Sequence, residues 1–250
     1  MIVKSEDEKI ALEKIGRIVA QVRDEMIAQV REGVTTKKLD ELGGAILEKY
    51  GAHSAPMRDY DFPGFTCISV NQTAAHGIPD DYILKKGDMV NIDVSAELNG
   101  FYADTGKSTV VGESVDNGEI KVALCSTAFQ SLMEGIAAAR PGNRIYDIGR
   151  AIQSKAKESG FTVIMNLTGH GIGRSLHESP QAISNYFCKS ENERIEVGHV
   201  LAIETFISDK SNMVREMSDG WGLKTVDDGL VAQYEHTIIV QVDEPIIITK

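Results

Sequence analysis

What most constrains this chain is a weak but repeated echo between its two halves. Gly33 recurs as Gly142 and Gly51 as Gly160, each 109 residues on, and Leu42-Gly43-Gly44-Ala45-Ile46 resembles Ile148-Gly149-Arg150-Ala151-Ile152. Gly87-Asp88-Met89-Val90-Asn91-Ile92-Asp93 parallels Gly198-His199-Val200-Leu201-Ala202-Ile203-Glu204, so an acid closes the same apolar strand in both halves. A duplicated unit packed against its copy sets two sheets side by side, with a site where they meet. Coincidence between two ordinary amphipathic patterns is the plainer alternative.

The local signals repeat in the same order. Ser5-Glu6-Asp7-Glu8 reads as a capping box, and a helical period follows through Ile15, Ile18, Val19, Val22 and Met26, with Gly33 as its stop. Thr36 is placed to cap a second helix that runs to about Tyr50 and closes at Gly51. Strands follow at Cys67-Ile68-Ser69-Val70-Asn71 and from Met89 to Leu98. After Asn117 the helical period returns through Val122, Ala123, Phe129, Leu132 and Ile136 to Pro141-Gly142, and another helix runs from Ile145 to Ser159. The rest alternates strand and turn up to Ile246-Ile247-Ile248. No linker or low-complexity tract divides the chain, which predicts one α+β domain over 1–250, built from halves of about 1–115 and 116–250.

Bulk properties exclude several partners. A net charge of −11 leaves no basic footprint for nucleic acid or anionic lipid. Cys67, Cys125 and Cys188 are too few and odd in number for a disulfide framework, which predicts a reducing compartment. Met1-Ile2-Val3-Lys4-Ser5-Glu6 has no apolar stretch behind a basic start, and no apolar run approaches membrane length. The expectation is a cytoplasmic monomer with no membrane contact.

The chemistry concentrates in acids set among β-formers. Asn99-Gly100 is a strong type I′ hairpin signal, and centring the turn there pairs Leu98 with Phe101, Ser95 with Asp104, and Asp93 with Gly106. Asp93 and Asp104 then share a face as diagonal neighbours, roughly 7–8 Å apart at Cα. Two such carboxylates raise each other's pKa unless a cation lies between them. For this pair alone, a solvated sheet face and a ligand pair are equally good readings. The second half adds Glu204 in Leu201-Ala202-Ile203-Glu204 and Glu235 in Val231-Ala232-Gln233-Tyr234-Glu235. Gly169-His170-Gly171-Ile172-Gly173 sets a histidine among glycines, which let backbone approach a ligand closely. Arg174 stands where a dinucleotide fingerprint needs its third glycine, and neither His-Glu-x-x-His nor Gly-x-Ser-x-Gly occurs. Four carboxylates balance two divalent ions, and oxygen-rich ligation with one imidazole suits Mn²⁺, Fe²⁺ or Co²⁺ at least as well as Zn²⁺. Two such ions would sit about 3.5–4 Å apart.

Seven separated motifs carry a wider likeness: Ala75-His76-Gly77-Ile78-Pro79, Asn91-Ile92-Asp93-Val94, Ala103-Asp104-Thr105, Thr168-Gly169-His170-Gly171-Ile172-Gly173, Leu176-His177-Glu178, Ala202-Ile203-Glu204 and Gln233-Tyr234-Glu235-His236-Thr237. In their order and spacing the chain resembles the short bacterial type I methionine aminopeptidases. The resemblance implies the pseudo-two-fold pita-bread fold, a curved antiparallel sheet flanked by helices. It also implies two-metal hydrolysis that frees the initiator methionine of a nascent chain. By the same resemblance Asp93, Asp104 and Glu235 hold and bridge the ions, while His170 and Glu204 complete one of them. Glu204 also acts as general base, His177 steadies the oxyanion, and His76 contacts the scissile amide. The plainer reading of His76 and His177 is a turn histidine in His-x-x-Pro. Phe62, Cys67 and Trp221 are candidates for the walls of the methionine slot, or ordinary core. Two positions depart from the family. Thr205 replaces the usual proline after Glu204, which predicts a looser backbone there, and Asp59 replaces an aromatic at the slot. The rival readings are an X-Pro aminopeptidase or dipeptidase of the same fold, and a non-catalytic binding protein built on it.

Overall fold

The computed structural model describes residues 1–112 and 118–250. The first half comprises α1 (Glu6–Ala28), α2 (Thr36–Lys49), β1 (His53–Ser54), α3 (Ala55–Tyr60), β2 (Cys67–Val70), β3 (Thr73–Ala75), β4 (Met89–Leu98) and β5 (Phe101–Val110). The second comprises α4 (Gly118–Ala138), α5 (Ile145–Glu158), β6 (Thr162–Val163), β7 (Thr168–Gly171), β8 (Glu178–Ser184), β9 (Val200–Ser208), β10 (Val214–Glu216), β11 (Leu223–Thr225), β12 (Val231–Ile239) and β13 (Ile246–Ile247). The half boundary expected at 115/116 and the transition expected at Asn117 lie outside the described residues.

Ser5 caps α1, accepting from the Glu8 amide at 3.2 Å. The Glu8 carboxylate closes on the Lys4 amide at 2.8 Å, so the return half of the cap sits one residue earlier than a capping box requires. Leu12, Ile15, Val19, Val22 and Met26 recur at helical spacing and are wholly buried. Each such burial is worth about 1.5–3 kcal/mol. The helix ends at Ala28, well before Gly33, because the amides of Gln29 and Val30 tighten onto the carbonyls of Met26 and Ile27 (3.0 Å each). Thr35, one residue before the expected cap, accepts from the Lys38 amide at 3.2 Å. The Thr36 hydroxyl is engaged elsewhere, donating to the Asp80 carbonyl at 3.0 Å.

Backbone geometry bears out the internal repeat. Gly33 and Gly142 have φ of 86° and 90°, Gly51 and Gly160 67° and 80°, and Gly87 and Gly198 87° and 88°. Their partners repeat as well. Gly33 donates to Leu84 and Gly142 to Ile195, both at 2.9 Å, while Gly87 donates to Val111 and Gly198 to Val240, both at 2.8 Å. The helices α2 and α5 keep the 109-residue offset, since Thr36 corresponds to Ile145 and Lys49 to Glu158. Leu39 is therefore the counterpart of Ile148, both buried. The match of Leu42 with Ile148 is out of register by nearly one helical turn.

One ten-stranded sheet crosses both halves in the order β1-β4-β5-β12-β9-β7-β8, with β2 on β4, β6 on β9 and β13 on β12. A separate three-stranded sheet orders β10-β11-β3. The halves thus meet where β5 lies beside β12. On one face α1 packs on β4 and β5, and α4 on β9 and β12. Strand alternation sends Ile92 and Val94 into the α1 core, and Leu201, Ile203, Ala232 and Ile238 into the α4 core. Asp93, Glu204 and Glu235, one residue out of phase, face the other way. Among the described residues no helix is long and apolar enough to cross a membrane.

A side chain added at Gly33 or Gly142 would meet nothing within 4 Å, so only the left-handed backbone opposes it. Gly33→Ala and Gly142→Ala should each cost about 1–2 kcal/mol in urea unfolding. Equal costs are expected from equivalent positions; a loss at one and none at the other would break the equivalence.

Candidate metal centre

Asn99 and Gly100 have φ of 53° and 79°, the pair of positive values a type I′ turn demands. The turn sets the β4–β5 register, with Ser95 opposite Asp104 and Asp93 opposite Gly106. Across the midline Glu204 of β9 pairs directly with Glu235 of β12. His170 lies opposite Ala202 of β9, where the β7–β8 pairing slips. The glycines beside it serve strand contact instead of the ligand approach expected from sequence. A Cβ on Gly169 would stand 3.1 Å from the Glu204 amide nitrogen, and one on Gly171 would stand 2.9 Å from the Pro180 nitrogen.

Asp104, His170 and Glu235 each offer a donor atom within 4.8 Å of the others. The His170 Nε2 lies 3.9 Å from Asp104 Oδ2. Its Nδ1 stands 3.0 Å from the Gly171 carbonyl, which assigns the proton to Nδ1 and leaves Nε2 a free lone pair. Burial, reinforced by neighbouring His177, lowers the His170 pKa to about 3, so the ring stays neutral. The carboxylates move the other way. Burial pushes Asp104 up to about 6. It pushes Asp93 well up, helped by Asp104 and Glu204, and Glu235 well up, helped by Asp104, Glu204 and Asp93. Glu204 rises by burial and then by Asp104. Asp104 Oδ1 and Glu235 Oε1 are buried with no hydrogen-bond partner in the protein. Two orphaned anionic oxygens beside a bare imidazole nitrogen fit a divalent cation.

The rest of the cluster is braced. Thr237 Oγ1 donates to the Asp104 carbonyl (2.8 Å) and accepts from its amide (2.9 Å). Gln233 Nε2 donates to Glu235 Oε2 at 3.0 Å, and the same side chain opposes the rise that burial imposes on the Glu204 pKa. Asn91 Nδ2 donates to Gln233 Oε1 at 2.6 Å, which fixes the amide with its N–H groups toward the acids. Sequence reading missed Asn91 and Gln233 as members of the site. The signal was present, since each stands two residues before an acid on its strand and so shares that acid's face.

Of the other expected residues, Cys67 adjoins Asp93 and His177 adjoins His170, with His76 near His177. His76 holds a left-handed backbone, φ 53°, and Gly77 follows it so close to β2 that a Cβ would stand 2.9 Å from the Ser69 Cα. Burial lowers the His76 pKa, and the nearby His177 adds to the shift. The His177 ring centre is 4.2 Å from that of His170. Cys67 is paired with Asp93 across β2–β4, and its thiol is pushed far up by burial and then by Asp93. Phe62 meets Trp221 edge-on, ring centres 5.1 Å apart.

Comparison with known proteins agrees with this geometry. The model of metallopeptidase family M24 matches residues 11–242. "Methionine aminopeptidase 2" of Bacillus subtilis is 52% identical, with 100% of each chain covered. The crystal structure of methionine aminopeptidase from Rickettsia prowazekii superposes with a TM-score of 0.94 at 36% identity over 100% of both chains. This chain belongs to metallopeptidase family M24, among the methionine aminopeptidases. Prolidase from Pyrococcus furiosus shares the fold at 21% identity and TM-score 0.76, but this chain spans only 65% of that one.

Membership in M24 implies a divalent metal, which the donor set fits. The two departures from the methionine aminopeptidase pattern have structural answers. Thr205 is wholly buried and paired with Tyr234, and its hydroxyl donates to the Ala128 carbonyl at 3.0 Å. β9 is therefore tied to α4 at that point, a constraint that stands where the family's proline would. Asp59 stands 3.9 Å from Arg58. The next residue, Tyr60, supplies an aromatic ring beside His177.

Raised carboxylate pKa values set the pH dependence of metal binding. An acid whose folded pKa lies near 6 holds a proton below that pH which the cation must displace, whereas a neutral His170 holds none. Calorimetric titration of metal-free protein with Mn²⁺ should give proton release at pH 6 and an affinity that weakens as pH falls from 7.5 to 5.5. A pH-independent affinity would rule out this electrostatic account.

Proposed function

We infer that this chain removes N-terminal methionine from peptides and nascent polypeptides by metal-dependent hydrolysis of the first peptide bond. The observation that supports the reading is the abutting of two antiparallel strand pairs, β4–β5 and β12–β9, which sets Asp104, Glu235 and His170 together, with Asp93 and Glu204 close enough to perturb them, in a chain similar over its full length to methionine aminopeptidases. The reading takes 1–250 as one catalytic domain acting as a cytoplasmic monomer. Three free cysteines fit a reducing compartment.

In this reading Asp93, Asp104, His170, Glu204 and Glu235 would hold two divalent ions. When bound, such cations would supply an ionised water at neutral pH and polarise the scissile carbonyl. The protein does the remainder. Glu204, set beside the other acids of the cluster, is placed to take a proton and pass it to the leaving amine. His177 donates to the developing oxyanion, and His76 orients the scissile amide. Phe62, Trp221 and the neutral Cys67 thiol enclose an uncharged thioether. A non-catalytic relative would have no use for the unpartnered oxygens of Asp104 and Glu235. X-Pro specificity finds support only in shared fold.

Met-initiated and X-Pro peptides assayed across Mn²⁺, Fe²⁺, Co²⁺ and Zn²⁺ test the reading, with turnover expected only for the former. His177→Ala should lower kcat about 10²-fold or more with metal content intact, as loss of an oxyanion donor does. Asp104→Asn should lower metal occupancy itself. Turnover of X-Pro peptides alone would refute the substrate assignment.

A further inference from the structure

Tyr60 closes α3, and its hydroxyl lies 2.6 Å from His177 Nδ1. The two rings meet edge-on, centres 5.6 Å apart at 74°. The segment that carries Tyr60 is fixed at both ends. Ser54 caps α3 by accepting from the Met57 amide at 3.3 Å, and its hydroxyl donates to the Phe65 carbonyl at 2.7 Å. Beyond Tyr60, Asp61 turns left-handed (φ 57°) and the Phe62 amide returns to the Pro56 carbonyl at 3.2 Å. The His177 backbone is held as well, since Ser175 Oγ donates to its carbonyl at 3.0 Å and the Ser175 amide donates to Glu178 Oε1 at 2.8 Å. These contacts fix the main chain around His177 but leave its ring proton undetermined.

We propose that Tyr60 is a positioning residue whose hydroxyl donates to His177 Nδ1 and so fixes the tautomer that carries its proton on Nε2. The separation supports this direction: 2.6 Å falls within the range of hydroxyl donors, about 2.5–3.0 Å, and below that of N–H donors to oxygen, about 2.7–3.2 Å. Phenols are also stronger donors and weaker acceptors than aliphatic hydroxyls. With Nδ1 occupied, Nε2–H is the one donor left to the ring, and which ring nitrogen bears the proton follows from the bond the other makes. A histidine that steadies an oxyanion must present N–H to it. The opposite tautomer would present a lone pair and repel the developing charge. The assignment rests on the oxyanion role of His177 for its effect on rate, but not for the tautomer itself.

Tyr60→Phe keeps the edge-on ring and removes only the hydroxyl. Long-range proton–nitrogen correlation spectra of the diamagnetic zinc-loaded enzyme read the tautomer directly, with the His177 signals identified by their absence in His177→Ala. In the unaltered protein Nδ1 should be the bare nitrogen and Nε2 the protonated one. In Tyr60→Phe the two signals should move toward each other. Its kcat should fall about tenfold, the equivalent of one net hydrogen bond, with KM within twofold and zinc content unchanged. A protonated Nδ1 in the unaltered protein, or a tautomer unmoved in Tyr60→Phe, overturns the proposal. A tautomer that moves while His177→Ala keeps full rate upholds it and removes the oxyanion role instead.

Discussion

Four carboxylates held against one another, Asp104 and Glu235 buried and Asp93 and Glu204 half-buried, are the interaction on which this structure depends. Each would shed its charge if left alone, because burial and mutual repulsion both favour the protonated form. That is the direction in which Asp93, Asp104, Glu204 and Glu235 all move. Such an arrangement lowers the stability of the metal-free chain and persists only if the surrounding strands over-determine it. The scaffold answers with antiparallel pairings that leave the acids no route apart. Asp93 and Asp104 are bound by a two-residue turn, and Glu204 and Glu235 by a nine-pair ladder.

The internal repeat explains how one chain assembles such a cluster. Each half contributes a hairpin-like pair of long strands, and the pairs abut with β5 and β12 innermost. Acids at equivalent strand positions, Asp93 and Glu204, thus end up flanking the midline. Beyond that the halves diverge. The strand outside β4 brings Cys67, a neutral thiol, while the strand outside β9 brings His170, a neutral imidazole. Symmetry supplies the frame, and the outer strands differ in the side chains they add to it.

Much of this was legible in sequence because the deciding signals are local. Asn99-Gly100 sets a register, and a register sets which residues share a face. The same logic gives the positive-φ glycines, whose repeat survives where side chains have drifted. What was not legible is tertiary. Gly33 looks like a helix stop, but α1 has already closed at Ala28 and the Gly33 amide serves Leu84 in a later segment. Thr205 looks like a lost constraint until α4 arrives to accept its hydroxyl. Tyr60 meets His177 across 117 positions of chain, and no spacing rule reaches that far.

The glycine at 106 joins these scales. A glycine inside a long strand weakens it, and in a ladder as regular as β4–β5 that cost needs a cause. Its Cβ would collide with the side-chain amide of Gln233. The missing side chain leaves room for that amide to lie flat between Asn91 on one side and Glu235 on the other. Asn91, fixed by its own donation to the Gln233 carbonyl at 3.2 Å, allows the amide one orientation only. Two N–H groups are thereby aimed at the acids, where a flipped amide would aim an oxygen and add a fifth source of repulsion. An apparent defect in strand propensity is thus a condition for packing like charges together, and the electrostatic constraint reaches back to the choice of a residue with no side chain at all.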